Sequence, residues 1–137
     1  MKLSFRDAFP AEYKPFIRAT FQKYKHIIPG WCNDIYVRYS KEKDVSGECL
    51  ALPEYRYAKI WIATGYPPLT DYDRERTLVH ELVHIPLWPM HERGVEMIEM
   101  LYEETDEAGK ADALRQWDKL TEGATEDLTQ AFLKVGR

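Results

Sequence analysis

His80 and His84 stand four residues apart, with Glu81 directly after the first, in the run His80-Glu81-Leu82-Val83-His84. On a helix this spacing places the two imidazoles on one face, one turn above the other. Two neutral imidazoles so placed can reach one Zn2+ at ~2.0–2.1 Å each, filling two corners of a tetrahedron. Glu81 can reach a water on the metal without ligating the metal itself. It would take a proton as that water attacks a carbonyl, while zinc lowers the water's pKa to ~7 and polarises the substrate oxygen. Leu78, Val79, Leu82 and Val83 around the motif are apolar, as expected of a helix that shows only its histidine face to a cleft. The plainer alternative is a pair of surface histidines that meets no metal. A chance match in a chain of this length is on the order of one in a hundred or rarer, so the metal reading is preferred.

A catalytic zinc usually takes three protein ligands and leaves one position open. His91 lies downstream, but the metzincin pattern HExxHxxGxxH wants a shorter gap containing a glycine, and Pro86 and Pro89 occupy this stretch instead. A carboxylate is the better third ligand. Here the sequence resembles the gluzincin branch of zinc metallopeptidases, because the histidine motif is followed by Glu122-Gly123-Ala124-Thr125-Glu126 on a later helix. Those families take their third ligand from a helix carrying Glu-x-x-x-Asp or a close variant. The resemblance implies Glu122 as the zinc ligand and Glu126, standing where Asp is usual, as the support of His80 or His84. The separation from His84 is longer than in compact gluzincins and leaves room for an additional helix. The rivals of Glu122 are Glu126 and then Glu96 or Glu99. Charged residues at 118, 119, 122, 126 and 127 also fit the solvated side of an amphipathic helix.

The layout as a whole resembles small phage- and prophage-encoded zincin-like proteins: a leading helix, a short sheet, the phrase from Arg76 to His84, and a glutamate-bearing C-terminal helix. Tyr13, Ile17, Phe21, Tyr24 and Ile28 predict a helix over 13–28 that begins close to Pro15 and ends at Pro29-Gly30. Ile35, Val37 and Tyr39 alternate as a strand from Asp34 to Tyr39. Lys41 to Gly47 reads as a turn, and further strands follow over Glu48–Leu52 and Ala58–Ala63. Gly65-Tyr66-Pro67-Pro68 breaks the pattern, and Thr70 with Asp73 resembles a capping box for the motif helix. That helix should stop near Ile85, because Pro86 and Pro89 follow. A third helix is expected over 92–105, with Val95, Ile98 and Leu101 or Tyr102 inward. The last, over 111–135, should turn Leu114, Trp117, Leu120, Ala124, Leu128, Ala131 and Val135 inward as one stripe.

With 137 residues the chain fits one domain, 1–137, and its 45% apolar and 31% charged content is that of a globular protein rather than a disordered one. The expected fold is α+β and zincin-like: a small antiparallel or mixed sheet packed on an N-terminal helix and the HExxH helix, followed by C-terminal helices. A net charge of −4 without basic runs excludes a nucleic-acid footprint. No stretch approaches the ~20 apolar residues of a membrane span. Charge appears at Lys2, Arg6 and Asp7, too early for a signal peptide's apolar core, so a cytoplasmic location is expected. Cys32 and Cys49 form no CxxC pattern and are expected as free thiols rather than a cross-strand disulfide.

The acidic run Glu92, Glu96, Glu99, Glu103, Glu104, Asp106 and Glu107 reads as a solvated helix face. Trp31, Tyr36, Tyr39, Tyr55, Tyr57 and Trp61 read as sheet packing, with Ala58–Ala63 the edge that could hold an extended peptide. Tyr72, His91, Arg93 and Tyr102 are the candidates for stabilising an oxyanion. The expected activity is hydrolysis of a peptide or other amide bond in a peptide or protein substrate. One catalytic Zn2+ would sit on His80, His84 and Glu122, with Glu81 as general base. The alternative is a catalytically silent zinc-binding interaction module of phage or prophage origin, favoured if His91 or Cys49 closed the coordination sphere.

Overall fold

The computed structural model describes residues 1–6, 8–40, 47–63, 70–102 and 104–136. The expected turn at 41–46, the Gly65-Tyr66-Pro67-Pro68 break and Glu103 lie outside the described residues. The first strand, β1 (Lys2–Phe5), is too short to show an alternation in sequence, and it exists by pairing parallel to β2 (Asp34–Ser40). Between them runs α1 (Lys14–Tyr24), flanked by 3-10 turns at Ala11–Tyr13 and Lys25–Ile27. Pro15 sits in the first turn of α1, where its missing N–H has no partner to lose. Ile17, Thr20, Phe21 and Tyr24 form the buried face of α1.

β3 (Gly47–Leu52) and β4 (Tyr57–Ala63) follow. The sheet order is β1-β2-β4-β3, with β1/β2 and β2/β4 parallel and β3/β4 antiparallel. The sheet is therefore mixed, and the strand expected at the edge is not there. β4 is paired on both sides, because the β3–β4 hairpin folds β3 outward after the parallel crossover from β2. The free edge on this side belongs to β3. Ile35, Val37, Ala58 and Ile60 are completely buried and join Ile17, Phe21, Tyr24, Leu78, Val79, Leu82, Val83 and Ile85 in one core. Each of the larger aliphatic side chains and Phe21 contributes roughly 1.5–3 kcal/mol by leaving water. Tyr36 and Tyr57 meet edge-on at 5.6 Å, as sheet packing requires, but Tyr55 lies in a 3-10 turn and is exposed. Cys32 and Cys49 are free and buried.

α2 (Asp71–Leu101) is one helix of 31 residues, where two were expected with a break near Ile85. Thr70 caps it, its hydroxyl accepting from the Asp73 N–H at 3.2 Å. Pro86 and Pro89 lie inside, each forfeiting a backbone hydrogen bond at a cost of about 3 kcal/mol in an unsupported helix. Packing on both sides of them carries the helix through. Its N-terminal half is held by the core, and by Tyr24 and Lys23 of α1 donating to Glu75 at 2.5 and 3.1 Å. Its C-terminal half is held by α3 (Glu107–Val135). There Trp117 donates to the His91 carbonyl at 3.0 Å, and its ring lies so close to Gly94 that a Cβ would meet it at 2.2 Å. Val95, Ile98 and Tyr102 are half-buried, whereas Leu101 faces solvent.

α3 presents a different face from the expected one. Leu120 and Val135 are 68% and 83% exposed, while Thr121, Thr125, Thr129 and Leu133 are buried. Threonine can line a buried helix face because its hydroxyl bonds back to its own helix and leaves the methyl outward. Thr125 donates to the Thr121 carbonyl at 2.8 Å and Thr129 to the Thr125 carbonyl at 2.7 Å. Among the described acidic run, Glu96, Glu99, Glu104, Asp106 and Glu107 are exposed, as expected of a solvated face.

Candidate metal centre

One face of α2 carries Arg76, His80, His84 and His91, and it lies against the face of α3 that carries Asp118, Glu122 and Glu126. Glu122 places one carboxylate oxygen on each histidine: Oε2 is 3.3 Å from His80 Nε2, and Oε1 is 3.1 Å from His84 Nε2. The two rings stand edge-on with centroids 4.9 Å apart, and one donor atom from each of the three residues falls within 4.8 Å of the others. Donors on neighbouring corners of a tetrahedron with ~2.05 Å bonds lie about 3.3 Å apart. The Glu122–histidine separations are of that order, each through a different carboxylate oxygen, and the three side chains form a group that could hold a metal ion. His84 is held below the usual histidine pKa by burial, with the Glu122 charge partly opposing the shift. The ring is therefore neutral at pH 7, the form in which an imidazole can ligate a metal.

Glu126 turns its other function toward the same histidine. Its Oε2 lies 3.0 Å from His80 Nδ1. Its Oε1 accepts from Arg76 Nε at 3.0 Å, from Arg76 Nη2, and from Gln130 Nε2 at 3.0 Å. Burial alone would raise the Glu126 pKa, but the hydrogen bonds from Arg76 and Gln130 outweigh it and hold the carboxyl below its ordinary value. A fixed carboxylate on Nδ1 selects the tautomer that leaves His80 Nε2 open toward Glu122.

Glu81 is 5% exposed, and its Oε2 has no hydrogen-bond partner among the described residues. Burial, and then the charges of Glu122 and Glu48, push its pKa up to about 8. The free edge of the sheet lies against it: a Cβ on Gly47 would stand 3.1 Å from Glu81 Cγ and Oε1. These groups open on a cleft of about 620 Å3, walled by Gly47, Glu48 and Cys49 of β3, by α2 from Asp73 to His91, and by α3 from Asp118 to Glu126.

Of the oxyanion candidates, His91 lines the cleft, its Nδ1 3.1 Å from the Thr121 hydroxyl. Arg93 instead pairs with Glu96 at 3.1 Å on the exposed side of α2, and Tyr72 and Tyr102 are not in the cleft wall. Glu96 and Glu99, rivals for the third ligand, are exposed and outside the group of three. Cys49 and His91 also stand outside that group, although both touch the cleft. Three residues have places here that the sequence reading gave no role: Arg76, Gly47 and Trp88, whose buried indole N–H lacks a partner among the described residues beside the cleft. Only Arg76 had a signal, since it precedes His80 by one helical turn. No protein-family model, no curated protein and no solved structure matches this chain.

Proposed function

We propose that this chain is a zincin-like, zinc-dependent hydrolase of peptide bonds, with His80, His84 and Glu122 as ligands and Glu81 as general base. The observation that carries the reading is Glu81: a buried carboxyl whose Oε2 has no partner among the described residues, beside three convergent donors. A structural zinc site has no use for it. Such a group costs stability, and an activated water would supply the missing partner.

Bound zinc would polarise the scissile carbonyl and make a water more acidic. The remaining steps belong to the chain. Glu81 takes the proton of the attacking water and returns it to the leaving amine, and its raised pKa suits a group that must both accept and release a proton near neutral pH. Glu126 keeps the His80 ring in its tautomer and orientation, and Arg76 keeps Glu126 charged. An extended peptide would add to the free edge of β3, which runs past Glu81 at Gly47.

Elemental analysis with peptide-library cleavage tests the proposal. Wild type should hold one zinc and cleave, His80→Ala should hold none, and Glu81→Gln should keep zinc and lose cleavage. Zinc at full occupancy in His80→Ala would refute the ligand set.

A further inference from the structure

The end of the cleft beyond His84 offers hydrogen-bond acceptors and withholds donors. His91 follows His84 by two helical turns on the same face of α2, and Leu87, Trp88, Asp118 and Thr121 line the cleft with it. The Thr121 hydroxyl has a single proton, which goes to the Asp118 carbonyl at 3.0 Å, the same back-bonding that Thr125 and Thr129 show. Thr121 Oγ1 is therefore the acceptor in its 3.1 Å contact with His91, and the His91 proton sits on Nδ1. Its Nε2 is then a lone pair with no partner among the described residues. The ring lines the cleft but stands outside the group of three metal donors, so that lone pair is not spent on the ion. The Trp88 indole nitrogen is buried, so the cleft meets the carbon of that ring, whose centroid lies 6.0 Å from that of His91.

The charges at this end have the same bias. Asp118 is exposed and has no ion-pair partner among the described residues. Burial dominates the lowered pKa of His84, but the Asp118 charge also bears on it, which puts that carboxylate at the same end of the cleft. Glu48 on the opposite wall, in β3, is likewise exposed and without an ion-pair partner among the described residues. Arg76 is the one described lysine or arginine in the cleft wall, and Glu126 holds it. A wall so composed attracts a positive charge and has no described cation free to repel it.

We infer that this end of the cleft is a pocket for an arginine side chain of the substrate, beside the scissile bond. A guanidinium carries N–H donors and no acceptor, the complement of a site that presents a carboxylate and a bare imidazole nitrogen. Its planar face stacks on Trp88, and its methylene stem covers Leu87. His91 lies about 10 Å along the helix from His84, so a residue held at the metal reaches it only with a long side chain. Lysine would make the charge contact but lacks the planar face. A glutamate side chain offers acceptors to acceptors and is rejected. The inference rests on the hydrolase reading for the place of the scissile bond, whereas the pocket itself needs no turnover.

Two measurements on the full, zinc-reconstituted chain test it. In the first, a peptide library should show arginine selected at a position flanking the cut. Matched peptides with arginine or its neutral isostere citrulline there should then differ in kcat/KM by roughly tenfold, the worth of one part-exposed ion pair and one cation–π contact together. Asp118→Asn should bring that ratio close to one, and Asp118→Lys should turn the preference toward glutamate. His91→Phe, which keeps a ring against Trp88 and removes the acceptor, should lower the ratio. The second measurement follows the Trp88 indole resonance in proton–nitrogen correlation spectra. Nα-acetylarginine amide should shift it, Nα-acetylcitrulline amide should not, and Asp118→Asn should abolish the response. No cleavage of any peptide, with that response intact, would refute the hydrolase reading and uphold the pocket. An arginine-to-citrulline ratio near one in wild type would overturn the inference. So would an indole resonance that ignores the arginine amide, answers both amides equally, or still responds in Asp118→Asn.

Discussion

Glu81 connects the stability of the protein to its proposed chemistry. Its folded pKa, about 8, lies above the ordinary carboxyl value of 4.5, so the folded chain holds the proton more tightly than the unfolded one. Ionising Glu81 therefore opposes folding. Its contribution is most favourable below pH 4.5, declines as the pH rises from there to about 8, and is constant above. Zinc-free wild type should lose thermal stability across that window, and zinc-free Glu81→Gln should show a flatter profile. Superimposable profiles would mean that the carboxyl is not held in a desolvated site. Glu126, held below its ordinary value, acts only at lower pH and in the opposite sense, its contribution fading as the pH falls. Glu126→Ala should weaken zinc affinity by roughly 10- to 100-fold without abolishing binding, as measured by competition with a chelator of known affinity. His80, Glu81 and His84 could be read from sequence because their geometry is local to one helical turn. Glu122 and Glu126 were reached through a resemblance, and the structure brings both to His80. Arg76 was not legible as a partner of Glu126, because its role depends on a residue 50 positions away.

At the scale of the elements, the strands over residues 34–63 and the capping of α2 followed from alternation and turn chemistry. Two helical expectations failed for a common reason: tertiary contacts outweighed a local signal. Pro86 and Pro89 are strong local breakers, but α3 supplies the surface that holds α2 together beyond them. Apolar letters marked the wrong face of α3, because the buried face is made of threonines whose hydroxyls are satisfied within the helix. A proline tolerated inside a helix remains a cost, so Pro86→Ala and Pro89→Ala should each raise the unfolding free energy, by up to about 3 kcal/mol. Denaturant melts with zinc content measured alongside will show it. A marked loss of stability in both variants would indicate that the chain needs a break there, against the continuous α2.

The whole molecule depends on pairings that no local pattern encodes. β1 is four residues long and joins the sheet only through β2, and the order β1-β2-β4-β3 moves the free edge from β4 to β3. That exchange brings Gly47 against Glu81 and gives the cleft its third wall. No described helix is long and apolar enough to cross a membrane. The α+β class and the convergence of His80, His84 and Glu122 could be anticipated from sequence. The strand order, the threonine face and the unbroken α2 could not, since each is settled by contacts between distant segments.

The most direct test of the central claim compares zinc content and peptide cleavage in the same preparations of wild type and Glu81→Gln. One zinc per chain in both, with cleavage confined to the wild type, is the predicted result. Cleavage undiminished in Glu81→Gln, or no zinc in either protein after reconstitution, would contradict it.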